Sequence, residues 1–232
     1  MINLKEHKQL LLNGDWHVHS NYTDGRSTLK QMIKVAENRK LKAIAITEHV
    51  RKKLDYDFYS LLNEIDSLRK KSQIKIFSGI EAKVLNKKGE LDLSKKILKE
   101  VDIVLGTFHS FNFSSNDFDE KIKEYEKALI NLLKNRSINI WAHPFSQLYE
   151  RKIISKLNFE KIFKILKKRA LVIEINLRKF YLSRNFLNLL FKTKVLFSIG
   201  SDAHSADEIW DYTKPNFIDK KTWEKIIKKN FL

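Results

Sequence analysis

The sequence predicts an α/β protein whose parallel sheet is closed, or nearly closed, into a barrel. Three observations lead there. Seven short apolar runs rich in Ile and Val recur along the chain, most without polar alternation, as strands covered on both faces require. Longer amphipathic stretches separate them, which implies right-handed strand–helix–strand units and a parallel sheet. A length of 232 residues suits one such barrel better than two independent domains. Residues 1–232 are therefore read as a single domain.

The expected strands are residues 15–19, 43–47, 74–80, 103–107, 138–142, 171–175 and 195–199. Between the first two, residues 27–40 place Leu29, Ile33 and Ala36 at helical spacing, with Ser27 or Thr28 as the N-cap. After the fourth strand, residues 119–135 carry Ile122, Tyr125, Leu129 and Leu132 on one stripe. Residues 156–168 behave likewise. The stretch FNFSSNDFD at 111–119 reads as a mobile loop, and 213–232 as a closing segment with a last helix at 222–230.

Composition narrows the function. Hydrophobic residues make up 43% and charged residues 31%, enough apolar surface for a substantial core and too much for a disordered chain. The absence of Cys excludes disulfides and thiolate metal sites, so any metal must be held by His, Asp or Glu. The N-terminal apolar run is only Leu10, Leu11 and Leu12, too short for a secretory core or for a membrane span of about 20 residues. A cytoplasmic protein without membrane contact is expected. The formal charge of +17 suits a phosphorylated small molecule or a nucleic-acid end as partner. The lysines are spread along every expected helix, however, where such residues ordinarily solvate a helix face.

Of the seven histidines, only His7 lies away from a strand end. His17 and His19 end the first strand, His49 follows the second, His109 the fourth, His143 the fifth and His204 the seventh. Glu81 ends the third, and Asp202 precedes His204 by two residues. In a parallel barrel every strand opens its C-terminal end on one rim, where active sites are built. One histidine there means little; six need a common partner, because clustered imidazoles and acids are costly to bury unpaired. Divalent cations supply it. His17 and His19 are two apart on an extended chain and share a face, as do Asp202 and His204. The N/O donor set suits Zn, Mn or Fe without choosing among them.

The motifs HVHSNYTDG, AITEH, GIEA, GTFHS, AHPF, EIN and GSDAHS, spanning about residues 15–204, resemble the PHP (polymerase and histidinol phosphatase) domain family. The resemblance implies a distorted seven-stranded (β/α)7 TIM-like barrel holding two to three divalent ions. It implies that His17, His19, Glu81 and Asp202 hold one ion, that Glu81 bridges to a second held by His109 and His143, and that Asp24, His49 and His204 hold the third. By residue type alone Asp24, in TDGRS, would be ordinary turn chemistry. Glu48 stands where the family often has Asp before the His, and is not taken as a ligand. Glu81, Asp202 and His204 are the expected catalytic residues. Arg178, after EIN, is the expected phosphate-binding residue, its guanidinium matching phosphate in a two-pronged fashion; Arg26 and Lys83 have weaker claims. The implied activity is metal-dependent phosphoester hydrolysis with the substrate unassigned. The alternatives are a histidinol-phosphate phosphatase, a nuclease or 3′-phosphatase acting on nucleic-acid ends, and a non-catalytic interaction module.

Overall fold

The computed structural model describes residues 1–50, 54–109, 111–146, 156–169, 171–178, 184–211 and 219–231. Its sheet has seven strands in sequential order: β1 (Gly14–Val18), β2 (Ala43–His49), β3 (Lys75–Lys83), β4 (Ile103–Thr107), β5 (Ile140–Trp141), β6 (Val172–Asn176) and β7 (Leu196–Gly200). Every neighbouring pair is parallel. Helix α1 (Lys8–Leu11) precedes the sheet. Helices α2 (Leu29–Asn38), α3 (Phe58–Arg69), α4 (Lys95–Glu100), α5 (Phe118–Lys134), α6 (Phe159–Lys168), α7 (Arg184–Leu190) and α8 (Lys220–Phe231) follow successive strands. This is the expected α/β barrel, with element ends within a few residues of the sequence-based bounds. Residues 213–218 of the expected closing segment lie outside the described residues. None of the described helices is long and apolar enough to cross a membrane.

The ring closes where β1 meets the chain just beyond β7. Val18 and Ala203 form a parallel bridge, the His19 N–H donates to Ala203 O at 2.8 Å, and the Asp202 N–H donates to His17 O at 2.9 Å. The buried carboxylate of Asp15 stitches the same seam, accepting the Ser201 N–H at 2.9 Å and the Trp210 N–H at 3.0 Å.

Strand alternation sorts residues to the two faces of the barrel wall. Ala43, Ala45, Phe77, Ile103, Leu105, Ile140, Ala142 and Val172 pack together with Trp16 inside, and Leu4 and Leu11 cover the bottom of that inner cluster. Ile44, Ile46, Ile80, Ile173, Ile175, Phe197 and Ile199 face outward, in one core with Leu29, Met32, Leu129, Leu132 and Leu166 of the helices. Two steps along the inner parity carry Ala45 to Thr47 and His49, Phe77 to Gly79 and Glu81, and Leu105 to Thr107 and His109. The barrel interior therefore turns from apolar at the bottom to imidazoles and a carboxylate at the top.

Two strands reach that rim by breaking alternation. In β1 the register shifts between Asp15 and Val18, so Trp16 joins the inner cluster while Val18 joins the outer one. Such a bulge re-aims the residues that follow it. Two residues past β5, His143 turns inward through a φ of 26°, a region that non-glycine residues rarely occupy. β5 is also shorter than expected, because Asn139 Oδ1 takes the Val104 N–H at 2.8 Å and starts the ladder late.

The helices end where local chemistry dictates. Thr28 caps α2 through a reciprocal box with Gln31, its side chain accepting the Gln31 N–H at 3.3 Å while the Thr28 N–H donates back at 2.9 Å. Asp117 caps α5, whose Ile122, Tyr125, Leu129 and Leu132 are buried as the stripe predicts. The segment before α5 has no regular structure but is tied down: Phe111 is buried against Phe108 and Tyr125, and the Ser114 N–H donates to Glu124 at 2.8 Å.

Candidate metal centre

Glu81 ends the inner face of β3 and is 2% exposed. Its Oε1 lies 2.7 Å from His109 Nε2 and 2.8 Å from His143 Nε2. Its Oε2 lies 2.9 Å from His49 Nδ1, 3.5 Å from His19 Nε2 and 3.6 Å from His17 Nε2. Five imidazoles, on β1, β2 and the loops that follow β1, β4 and β5, thus face one carboxylate. Asp202 Oδ1 stands 3.8 Å from His17 Nε2 and 3.7 Å from His19 Nε2. Asp24 lies 3.2 Å from His49 Nε2 and 3.6 Å from His204 Nε2. The structure brings all nine residues expected as ligands to one rim. His7 instead packs on Phe77 at the other end of the barrel.

The donors form three overlapping groups able to surround an ion: His17 with His19 and Asp202, His17 with Glu81 and His143, and His19 with His49 and His204. The second differs from the expected grouping in taking His17 in place of His109, and the last in taking His19 beside His49 and His204, with Asp24 half-exposed next to them. Asp24 does sit in a turn, its loop folded back by the Gly25 N–H on Ser20 O at 3.0 Å. Turn chemistry and proximity to the cluster therefore coexist at this residue.

The fit to cations can be tested on orphaned atoms. Glu81 Oε2 and His19 Nδ1 are buried without a hydrogen bond, although Oε2 is ringed by three imidazole nitrogens. Burying a carboxylate oxygen unsatisfied is expensive. His17 Nδ1 lies 2.7 Å from Glu174 Oε1, which holds a proton on Nδ1 and leaves Nε2 as the nitrogen turned to the cluster, able to present a lone pair to a cation that displaces its proton. That Nε2 stands 3.1 Å from His19 Nε2, about the separation of two nitrogens sharing a tetrahedral zinc (roughly 3.3 Å). The acids that would face a cation also draw a proton to His17. Burial opposes charge on His17, but Glu174, Glu81 and Asp202 outweigh it and hold its pKa well above the usual histidine range. Burial, joined by repulsion from neighbouring histidines, pushes His19 well below that range. Burial opposes the Glu81 charge too, yet His17, His109 and His143 hold this carboxyl well below its ordinary value. The donor set and its unmet demands suit divalent ions.

The cluster opens on a cleft of about 1070 Å³ lined by, among others, Val84, Asn86, Asp92, Asn112 and Arg178. Arg178 Nη1 donates to Asp202 O at 3.2 Å and lies 3.0 Å from His204 Nδ1, which sets the guanidinium beside the cluster. Lys83 also lines the cleft. Arg26 does not; it pairs with Glu208 and Ser205 at 3.1 Å each. Glu48 turns away from the cluster and accepts the Ser20 N–H at 2.9 Å and the hydroxyls of Ser20 and Thr23, fixing the loop that carries Asp24.

One role escaped the sequence. Glu174, 1% exposed, accepts from His17 Nδ1 through Oε1 and from the His143 N–H and Asn176 Nδ2 through Oε2. It orients two imidazoles of the cluster at once. The local signal was the EIN motif, an acid at an inner-face position of an otherwise apolar strand. Glu174→Gln preserves volume but leaves one acceptor oxygen where two are used. The expected result is a roughly 10–100-fold loss of Zn or Mn affinity by calorimetric titration, with an unchanged far-UV spectrum. Unaltered affinity would reduce Glu174 to a packing residue.

The PHP domain profile matches residues 15–178, and the chain belongs to the PHP domain family. It is 29% identical to a probable phosphatase of Thermoanaerobacter sp. strain X514, over 84% of this chain and 80% of that one. It is 25% identical to the DNA polymerase/3′-5′ exonuclease PolX of Bacillus subtilis, over 91% of this chain but 38% of that much longer protein. The structure resembles the histidinol phosphate phosphatase of Lactococcus lactis, solved with Zn, L-histidinol and phosphate. That match has a TM-score of 0.65 and 18% identity, covering 94% of this chain and 93% of the other, and it concerns the fold.

Proposed function

We propose that this protein hydrolyses phosphoesters with two to three divalent ions, Zn, Mn or Fe, held by His17, His19, Asp24, His49, Glu81, His109, His143, Asp202 and His204. The observation that carries the reading is the convergence of five imidazoles on Glu81, with one carboxylate oxygen left unsatisfied and Arg178 beside the cluster. When bound, divalent ions lower the pKa of a water nucleophile and neutralise phosphoryl charge. The chain's own residues do the rest. Arg178 grips phosphoryl oxygens from the cleft side, where its charge is worth more as water is excluded. Glu81 and Asp202 hold negative charge against the cations, and His204 presents its ion at the cleft edge beside Arg178. Glu174 keeps His17 in the tautomer that offers Nε2.

Relatives named as probable phosphatases support this reading. A second reading, action on nucleic-acid ends, draws on the +17 charge, the breadth of the cleft and the PolX match. Protein loaded separately with Zn, Mn and Fe should release phosphate from nitrophenyl phosphate. Histidinol phosphate set against 3′-phosphorylated and single-stranded oligonucleotides then separates the two substrate classes. Loaded protein that releases nothing from any of these esters overturns the assignment.

A further inference from the structure

Four carboxylates line the cleft: Asp24, Glu81, Asp92 and Asp202. Three of them face imidazoles of the cluster. Asp92 forms no ion pair with a histidine among the described residues. It stands on a hairpin that extends β3 past the rim, where Val84 bridges Leu91 in antiparallel fashion. The Asp92 N–H donates to Lys83 O at 3.0 Å, and Asp92 Oδ1 accepts the Lys83 N–H at 2.7 Å, which fixes the carboxyl rotamer. The hairpin is itself pinned. The Leu85 N–H donates to Glu90 O at 2.8 Å, and Asn131 Nδ2 of α5 donates to Lys87 O at 2.9 Å. A half-buried acid is thus held in the cleft wall on a rigid support, apart from the groups committed to cations.

An alkoxide is a poor leaving group, and expelling it from phosphorus calls for a proton delivered as the P–O bond breaks. The carboxylates of the cluster cannot give one while they serve as anionic ligands. We propose that Asp92 is the proton donor to the leaving-group oxygen of a phosphoester bound in this cleft, an inference that rests on the phosphoesterase reading above. Water oxygen forms the new bond to phosphorus, and the bond from phosphorus to the ester oxygen breaks. That oxygen takes the Asp92 proton and departs as an alcohol. Water's proton passes to solvent, and Asp92 is reprotonated from solvent before the next turnover. Burial lifts Asp92 to about 6 against the opposing pull of the Lys83 N–H and the Lys83 charge, so a protonated fraction persists near neutrality.

The test compares leaving groups. Asp92→Asn keeps an acceptor for the Lys83 N–H and removes the proton. Its kcat/KM should fall about 10²-fold on a primary alkyl phosphate and less than about 3-fold on nitrophenyl phosphate, whose phenolate leaves unaided. In the wild type the alkyl activity should decline as pH rises past about 6, and the Asn variant should lose that limb. Bound-ion content matching the wild type establishes that the variant is intact. If it loses its ions, Asp92→Glu carries the test, with a slowed alkyl reaction, an unaltered aryl reaction and a displaced alkaline limb. Equal losses on both esters, or none on the alkyl one, overturn the proposal. A loaded wild type inactive on both esters removes the phosphoesterase reading itself, and this inference with it.

Discussion

Replacing Glu81 with Gln should abolish both ion uptake and hydrolysis while the barrel stays folded. The substitution keeps the side-chain volume but removes the charge that both oxygens present to His17, His19, His49, His109 and His143. Loss of a single oxyanion donor costs enzymes about 10²–10³-fold. A carboxylate that faces five imidazoles of the rim should cost at least about 10³-fold in kcat/KM. Thermal melting gives an independent readout. A ligand at 100 times its Kd stabilises the folded state by about 2.7 kcal/mol, so added Mn or Zn should raise the Tm of the wild type and leave that of the variant where it was. A variant that still gains stability from the ion would show that the donors act without Glu81.

Gly200→Ala should be nearly as damaging, although it adds one methyl group at a residue with no donor atom of its own. Gly200 ends the inner face of β7, and a Cβ there would collide with the Glu174 carboxylate and come within 2.8 Å of His17 Cβ. Backbone and buried carboxylate cannot both stay in place. Overpacking of this kind costs about 1–3 kcal/mol, a fall in Tm on the order of 5 °C for a chain of this length. The displaced Glu174 would also release His17 from its tautomer, so ion affinity should fall about 10–100-fold as well. Calorimetry and ion titration on the same preparation check both. If the melting temperature drops while ion affinity is unchanged, Glu174 is not the link between β7 and the cluster.

The rim was legible in the sequence because strand alternation is local. Once residues 43–47 and 103–107 are strands, parity alone sends His49 and His109 inward, and HxH places His17 and His19 on one face. The helix caps at Thr28 and the stripe of α5 were legible for the same reason. Other features depend on partners remote in the chain. Glu174 meets His17 across 157 positions, and Asp15 meets Ser201 across 186. Strand parity turns Glu174 inward, but no local pattern tells which remote partner such a buried acid will meet. The bulge in β1 and the inverted φ of His143 were equally hidden, since each is set by closure of the ring and by the cluster the residue must reach. Asp92 ends the polar stretch NKKGELD, and only the folded hairpin places it over the cleft.

The most direct test is anomalous diffraction from crystals of protein purified without chelators and loaded with a single divalent metal. Two or three peaks should appear at the barrel rim, one within coordination distance of His17, His19 and Asp202 and another between Glu81 and His143. Peaks confined to surface histidines, or a rim free of metal in protein that still hydrolyses phosphoesters, would contradict the account.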